Sequence, residues 1–574
     1  MVNTLSNILF APVYLPLLGA ALILVCKSFF RTAVRRMAEY LGILIGLVLP
    51  VVLALTLKDR LSQNMVMEAV AGSWAKEMGI IYRFDGLSLL MILLAAAVTI
   101  PAWMYSRKVG PAHSSFTALL LVQNAAIAAI SMTADLFNLF VCLEVMGVVA
   151  YVLIAGNQKG SAVYASFSYL MLSSTAMVFF LLGTFGLYRL TGSLSYEAIA
   201  HSLAEGQNQG YALLCLILLI VPVLLRVAVL PLSLWLVDAH SKAPHAVSAL
   251  LSGVLLKIPL FALVRVFALV PGSAQLALPI SYAGALTALF GVILALAQSD
   301  AKQLLAYHSI SQIGYVVTAW GLALQAGVHT QAGALLLSVS FFHAFSHALF
   351  KALLFLSVGT ATDAGANRNV YTLRGASRSL KGEGERLPIT LLCYLVGALS
   401  IMAIPPFNGY FSKNLLTYAI KGGVHYPILT LAGVGTVASF LKLSRIFLPA
   451  KMKLEILHPS LRPRFPLSLH TGLLMLALMC ILTGIFAPEV FAFITELLSA
   501  QPVNGFDAHY FFKQETLAKT FYTTLAGIVL FLFILTKPGA WILHLPGRYR
   551  ARFSDLFFGF SLALDLLLLV ARVL

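Results

Sequence analysis

Charge is scarce in this chain. Of 574 residues only 10% are Asp, Glu, Lys or Arg, while 60% are hydrophobic and the mean hydropathy is +0.93, a balance that no soluble core requires. Cysteine is scarcer still. Cys26, Cys142, Cys215, Cys393 and Cys480 each stand singly in an apolar run, and without a CxxC spacing the iron–sulfur, zinc and disulfide readings give way to core packing. The one GxG-like stretch, "KGEGER", lies in a loop with no strand before it and is not a nucleotide fingerprint. Long basic tracts are lacking too: the net charge of +17 is scattered through short connections, which excludes a nucleic-acid surface. No cofactor is therefore expected in this chain.

What fills the chain instead is lipid-compatible sequence. About 16 apolar runs of some 18 residues or more recur from "LFAPVYLPLLGAALILV" to "FFGFSLALDLLLLVARVL", each long enough to cross ~30 Å of hydrocarbon as a helix. The expected fold is an all-α polytopic membrane protein. The first run lacks a basic leader and is followed by "KSFFRTAVRR" rather than a cleavage site, so it reads as a retained helix. With the N-terminus outside, roughly 22 Lys and Arg fall in inside loops against about 8 outside, the positive-inside asymmetry. No connection is large enough for a soluble domain. The two longest inside connections, about residues 361–387 and 449–467, read as ordinary surface loops. "SYEAIAHSLAEGQNQG" before residue 211 reads as a short amphipathic outside helix.

Two places break the run of smooth helices. Pro231 and Pro244 interrupt "LLRVAVLPLSLWLVDAHSKAPHAVSALLSG", and Pro405, Pro406 and Gly409 interrupt "ALSIMAIPPFNGYFSKNLLTYAI". Proline removes a donor and clashes with the preceding turn, so each site predicts a discontinuous helix, tolerable at membrane depth only beside protein or a wet cavity. The breaks are about five spans apart, an odd offset that predicts inverted repeats. The division that follows is 1–111 as N-terminal helices, 112–270 and 275–448 as the two repeats, and 449–574 as C-terminal helices and extension.

Ionisable groups near the middle of a span cost several kcal/mol unless paired or hydrated. Ten qualify: Glu144, Arg226, Lys257, His308, His343, His347, Lys351, Lys413, Lys442 and Asp565. Arg226 is the natural partner of Glu144, either as a structural salt bridge or as part of a charge relay. Lys257 has no acid of its own in sequence. His343, His347 and Lys351 are four residues apart and share one helical face, while Lys413 follows the second break. A proton path needs groups that change charge at accessible pH, and histidine and desolvated lysine do. The HxxxH spacing would also suit a metal, but no Cys or acid is near and Lys351 would repel a cation. His308, beside Ser309 and Ser311, either holds water or packs as a core histidine. Lys442, with Arg445, either joins the row or snorkels to the inner interface. Asp565 stands alone in the last span and is expected to face another helix or a partner protein.

"FNLFVCLEVM", "PLSLWLVDAHSKAPHAVSALLSGVLLKI", "DAKQLLAYHSISQIGY", "HAFSHALFKALLFLSVG" and "IPPFNGYFSKNLL" resemble the antiporter-like subunits shared by respiratory complex I, Mrp-type cation/proton antiporters and membrane-bound energy-converting hydrogenases, in order over about residues 80–450. The resemblance implies a core of about 14 helices with two inverted five-helix repeats, about two further C-terminal helices, and a central hydrophilic axis for protons. It implies that Glu144 is the family's fifth-helix glutamate and Lys257 the connecting lysine of the eighth. His343 and His347 would be the eleventh-helix histidines with Lys351 alongside, and Lys413 the basic residue of the broken twelfth. Arg226 departs from the family's usual lysine, and arginine effectively never releases its proton. Ala228 likewise replaces the usual proline. Three readings follow: a proton-translocating subunit of a redox complex, quinone reductase or hydrogenase, whose partners would hold iron–sulfur clusters, flavin or a nickel–iron centre; a sodium/proton antiporter subunit; or a structural membrane anchor with an inactive channel. The partners expected are other membrane subunits, protons, sodium under the second reading, and the bilayer; the setting expected is a prokaryotic plasma membrane.

Overall fold

The structure, a computed structural model, describes residues 2–62, 66–74, 79–206, 208–449, 467–498, 508–547 and 553–573. Among them, twelve helices are long and apolar enough to cross a membrane. The N-terminal part holds α1 (Ile8–Phe29), α2 (Thr32–Thr56) and α3 (Gly86–Val109). It also contains what the helix-only reading lacked, an antiparallel pair of strands β1 (Met67–Val70) and β2 (Ile81–Phe84), with Met67 opposite Phe84.

A first unit follows: α4 (Ser114–Met132), α5 (Leu136–Asn157), α6 (Gly160–Thr191), the short α7 (Tyr196–Glu205), α8 (Gln209–Val227), α9 (Leu234–Lys242) and α10 (His245–Phe267). The same order of long and short elements then recurs as α11 (Ala274–Ala297), α12 (Ala301–Ala326), α13 (Gln331–Ala364), α14 (Ala376–Gly382), α15 (Ile389–Ile401), α16 (Asn408–Ala419) and α17 (His425–Phe447). The connection at 361–387, expected to be plain loop, contains α14. The C-terminal part comprises α18 (Leu467–Ile485), bent by 86° into α19 (Ala487–Leu498), then α20 (Gln514–Ile534), α21 (Lys537–Gly547) and α22 (Phe553–Val573). Most of the connection read at 449–467, from 450 to 466, lies outside the described residues.

Local chemistry explains the helix starts. Asp135 caps α5 through the Asn138 N–H at 2.7 Å, and Asp300 caps α12 through the N–H groups of Lys302 and Gln303 at 2.8 and 3.0 Å, satisfying donors that a helix N-terminus leaves open. The two caps occupy equivalent places in the two units. Burial holds the Asp135 carboxyl above the ordinary range, against the pull of the Asn138 and Phe137 N–H groups.

The predicted discontinuities are present, and they share one backbone form. After α8, Ala228 turns to φ 64° while its N–H and that of Val229 bond back to the carbonyls of Leu225 and Leu224. After α15, Ala403 turns to φ 59° and the N–H groups of Ala403 and Ile404 reach Ser400 and Leu399. This is the left-handed helix stop that glycine usually supplies; here alanine carries it, three residues before Pro231 and Pro406. Pro244 lies instead in the turn between α9 and α10.

Close approach of α11 and α12 depends on glycine. A Cβ on Gly314 would come within 2.3 Å of the Ala288 nitrogen, and Gly284, Gly291 and Gly321 face backbone at 2.6–2.8 Å. Small residues at such positions let helix backbones touch where lipid provides no hydrophobic drive. α10 and α13 are buried almost all round, so the charges they carry lie inside the bundle.

Candidate functional site

In α5, Glu144 lies at the edge of the face that Val141, Val145 and Val148 expose. Arg226, in the last turn of α8 and 1% exposed, donates to its carboxylate and, at 2.6 Å, to the Leu143 carbonyl. Gly147 makes room: a Cβ there would meet the guanidinium at 2.9 Å.

Lys257 follows a one-turn bulge, Leu251–Leu255, in which α10 widens to i→i+5 bonding, a feature that frees carbonyls and often marks functional positions. Its ammonium donates to one of them, that of Ser252. Ser252 in turn bonds Ser309 of α12 at 2.8 Å.

The other buried amines are housed the same way, each against main-chain carbonyls. Lys351 reaches Leu305 at 2.5 Å and lies over the Phe355 ring. Lys413 reaches Ile401, the last residue of α15, at 2.6 Å and lies over Tyr315. Lys442 spans Leu296 and Gln298 at the end of α11, at 2.6 and 2.7 Å, and is fully buried rather than snorkelled. Most of these acceptors sit at helix C-termini or breaks, where unsatisfied carbonyls and the helix dipole favour a cation without a counter-charge.

Between the amines lie imidazoles. His343 bonds Ser412 at 3.1 Å, stacks 6.4 Å from His347, and faces Tyr315. His308 bonds Ser439 at 2.7 Å. Both ring nitrogens of His347, Nε2 of His343 and Nδ1 of His308 are buried with no protein hydrogen-bond partner. Buried polar groups are nearly always satisfied, by water where protein does not serve. Among the described residues, no three His, Cys, Asp or Glu side chains gather to hold a metal ion.

The structure therefore brings Glu144 onto Arg226 and keeps Lys257, His308, His343, His347, Lys351, Lys413 and Lys442 inside the protein. Asp565 is not among them: it lies on the exposed side of α22. Several residues missed in sequence belong to the same interior. Lys302, fully buried at the start of α12, donates to the Ala243 carbonyl at 2.7 Å. His240, stacked on Phe355, has neither ring nitrogen bonded, and the Gln312 and Asn408 amides are orphaned likewise. His245 pairs with Asp363 at 3.0 Å. The histidines stood in a segment read for its prolines and its family resemblance but not for charge at depth, and Lys302 stood one residue inside a helix start, where a lysine passes for interfacial.

Comparison with known proteins places this geometry among relatives. Residues 133–441 match the family described as NADH:quinone oxidoreductase/Mrp antiporter, TM. The chain is 32% identical over 405 residues to NADH-quinone oxidoreductase subunit N of Desulforudis audaxviator, covering 68% of this chain and 77% of that one. It is 27% identical over 454 residues to a Na(+)/H(+) antiporter subunit of Alkalihalophilus pseudofirmus, covering 78% and 87%. A chain of the Mrp complex from Dietzia sp. shares the fold, with a TM-score of 0.75 and 23% identity over 90% of this chain and all of that one.

Proposed function

This chain belongs to the NADH:quinone oxidoreductase/Mrp antiporter transmembrane family, and from that premise we propose that it moves protons through its own interior as one membrane subunit of a larger complex. The observation that carries the reading is the buried row of Lys257, His347, His343, Lys351 and Lys413, amines on carbonyls and imidazoles with unbonded nitrogens. Water would complete the contacts that protein leaves open. Each charge change between neighbours ~7 Å apart, at an effective dielectric near 20, is worth on the order of 2 kcal/mol, enough to switch the next proton site. The two units at 112–270 and 275–448 would be the inverted repeats, each contributing a half-channel to the row.

Arg226 differs from the other members. It holds Glu144 in place and supplies a fixed field, but the proton steps belong to the lysines and histidines. The driving reaction would lie in partner subunits bearing iron–sulfur clusters, flavin or a nickel–iron centre, in a prokaryotic plasma membrane with the N-terminus outside. The likeness to a Na(+)/H(+) antiporter component supports a second reading, sodium/proton exchange. Arg226 itself favours a third, an anchor with an inactive channel.

Proton flux in liposomes containing the purified complex tests these together. Lys257→Ala and Lys413→Ala are each expected to lower flux at least ~10-fold, the loss of one obligatory step. Flux that also requires sodium would select the second reading. Flux unchanged in both variants would select the third.

A further inference from the structure

α20 lies beyond residues 133–441, the extent of the family match, yet it is built toward Lys413. One side of it is apolar and exposed, with Leu517, Phe521, Leu525 and Leu532. The other carries Lys519, Thr520, Thr523 and Thr524 against α16 and α17, and Gly527 draws it close to Val437. Between these helices is a cavity of about 50 Å³ that Lys413 and Lys519 both line, room enough for water. Lys519 donates to the Thr417 hydroxyl, which itself bonds the Lys413 carbonyl at 2.9 Å. Asn414 reaches Thr520 at 3.5 Å. One helical turn before Lys519, Glu515 pairs at 2.6 Å with Lys421, and both are well exposed, at 77% and 59%.

A buried amine, a cavity edged by Asn414 and several threonines, a half-buried amine and an exposed ion pair thus follow one another outward. A helix that served packing alone would need no lysine at that depth. We propose that Lys519 is the terminal proton-carrying site between Lys413 and the aqueous face of the membrane at which residues 420–424 and 514–515 lie. This rests on the proton-translocation reading. An N–H bond of the Lys413 ammonium breaks as an O–H bond forms on a cavity water. The water's extra O–H bond breaks as an N–H bond forms on the neutral Lys519 amine, and that N–H bond then breaks toward solvent, returning Lys519 to its neutral state and leaving Lys413 neutral until the row supplies its next proton. The charged and titratable groups around Lys519 are Lys413 from α16, Tyr315 from α12 across the cavity, Lys421 from the turn after α16, Tyr426 from α17, whose ring it overlies at 5.1 Å, and Glu515 from its own helix.

The test is proton flux by the purified complex, full-length chain included, in liposomes with an internal pH-sensitive dye, with assembly checked by co-purification. Lys519→Gln is expected to lower flux at least ~10-fold, and Lys519→Arg not to restore it, since arginine keeps the charge and the donors but does not release a proton. Lys519→His should restore flux with a pH profile moved toward acid. Gly433→Leu, whose side chain would grow toward Thr523 and Tyr315 in the cavity, should block flux without touching a charge, and it decides the matter if Lys519→Gln fails to assemble. If Lys413→Ala stops flux while Lys519→Gln and Gly433→Leu keep more than half, or if Lys519→Arg restores it, this inference is overturned. If Lys413→Ala itself leaves flux intact, the reading beneath it fails instead.

Discussion

Arg226→Gln removes the guanidinium from a partly exposed carboxylate, and its cost can be worked from the geometry. Breaking a buried ion pair by deleting one member costs about 3–5 kcal/mol. With 28% of its surface exposed the Glu144 side chain can swing out of the vacated pocket, which places this term at the lower end of that range, near 3 kcal/mol. The lost bond to the Leu143 carbonyl adds about 1 kcal/mol, for about 4 kcal/mol together. Glu144→Gln strands a guanidinium that is almost wholly buried but still bonded to Leu143, for about 3 kcal/mol. The double variant has no unpaired charge left and is expected to cost no more than about 4 kcal/mol, a coupling near 3 kcal/mol. Reversible unfolding of the four proteins in mixed micelles measures it. Additive costs, with coupling under ~0.5 kcal/mol, would refute the view that these two groups neutralise each other inside the bundle.

Further consequences follow from single positions. Gly147→Ala places a methyl against the Arg226 guanidinium and the Tyr151 hydroxyl, and should destabilise by about 1–3 kcal/mol, with a smaller loss in the Arg226→Gln background, where only the Tyr151 contact remains. His347→Leu replaces a ring whose nitrogens have no protein partner; unfolding should show a change within ~1 kcal/mol, or a gain, while proton flux falls at least ~10-fold. A loss above ~2 kcal/mol would mark His347 as structural. Asp135→Ala and Asp300→Ala each remove a helix cap and should each cost about 1 kcal/mol in the same unfolding assay, the equality reflecting their equivalent places.

Much of this was legible in the sequence, for identifiable reasons. Pro231 and Pro406 announce the breaks because proline cannot donate to a helix, and Glu144, Lys257 and His347 stand out because ionisable groups are costly in lipid. Other features were hidden. The acceptors for Lys257, Lys413 and Lys442 are main-chain carbonyls set free by a bulge, a break and a helix end, which no side-chain motif records. Lys302 and Lys519 lie close to helix starts, where sequence position alone suggests an interface; their depth comes from neighbours far along the chain. The strands at Met67–Val70 and Ile81–Phe84 are four residues each, too short to register a period against apolar surroundings. The common backbone form at Ala228 and Ala403 is carried by little more than an alanine and a proline three residues on, so the recurrence is structural before it is textual.

Hydration of the row between Lys257 and Lys413 is the point on which proton movement depends. A cryo-EM map of the assembled complex, at a resolution that shows ordered water, should reveal density bonded to the free nitrogens of His347 and His343 and continuing to both lysines. Side chains packed dry between Lys257 and Lys413, with no water on those imidazoles, would contradict it.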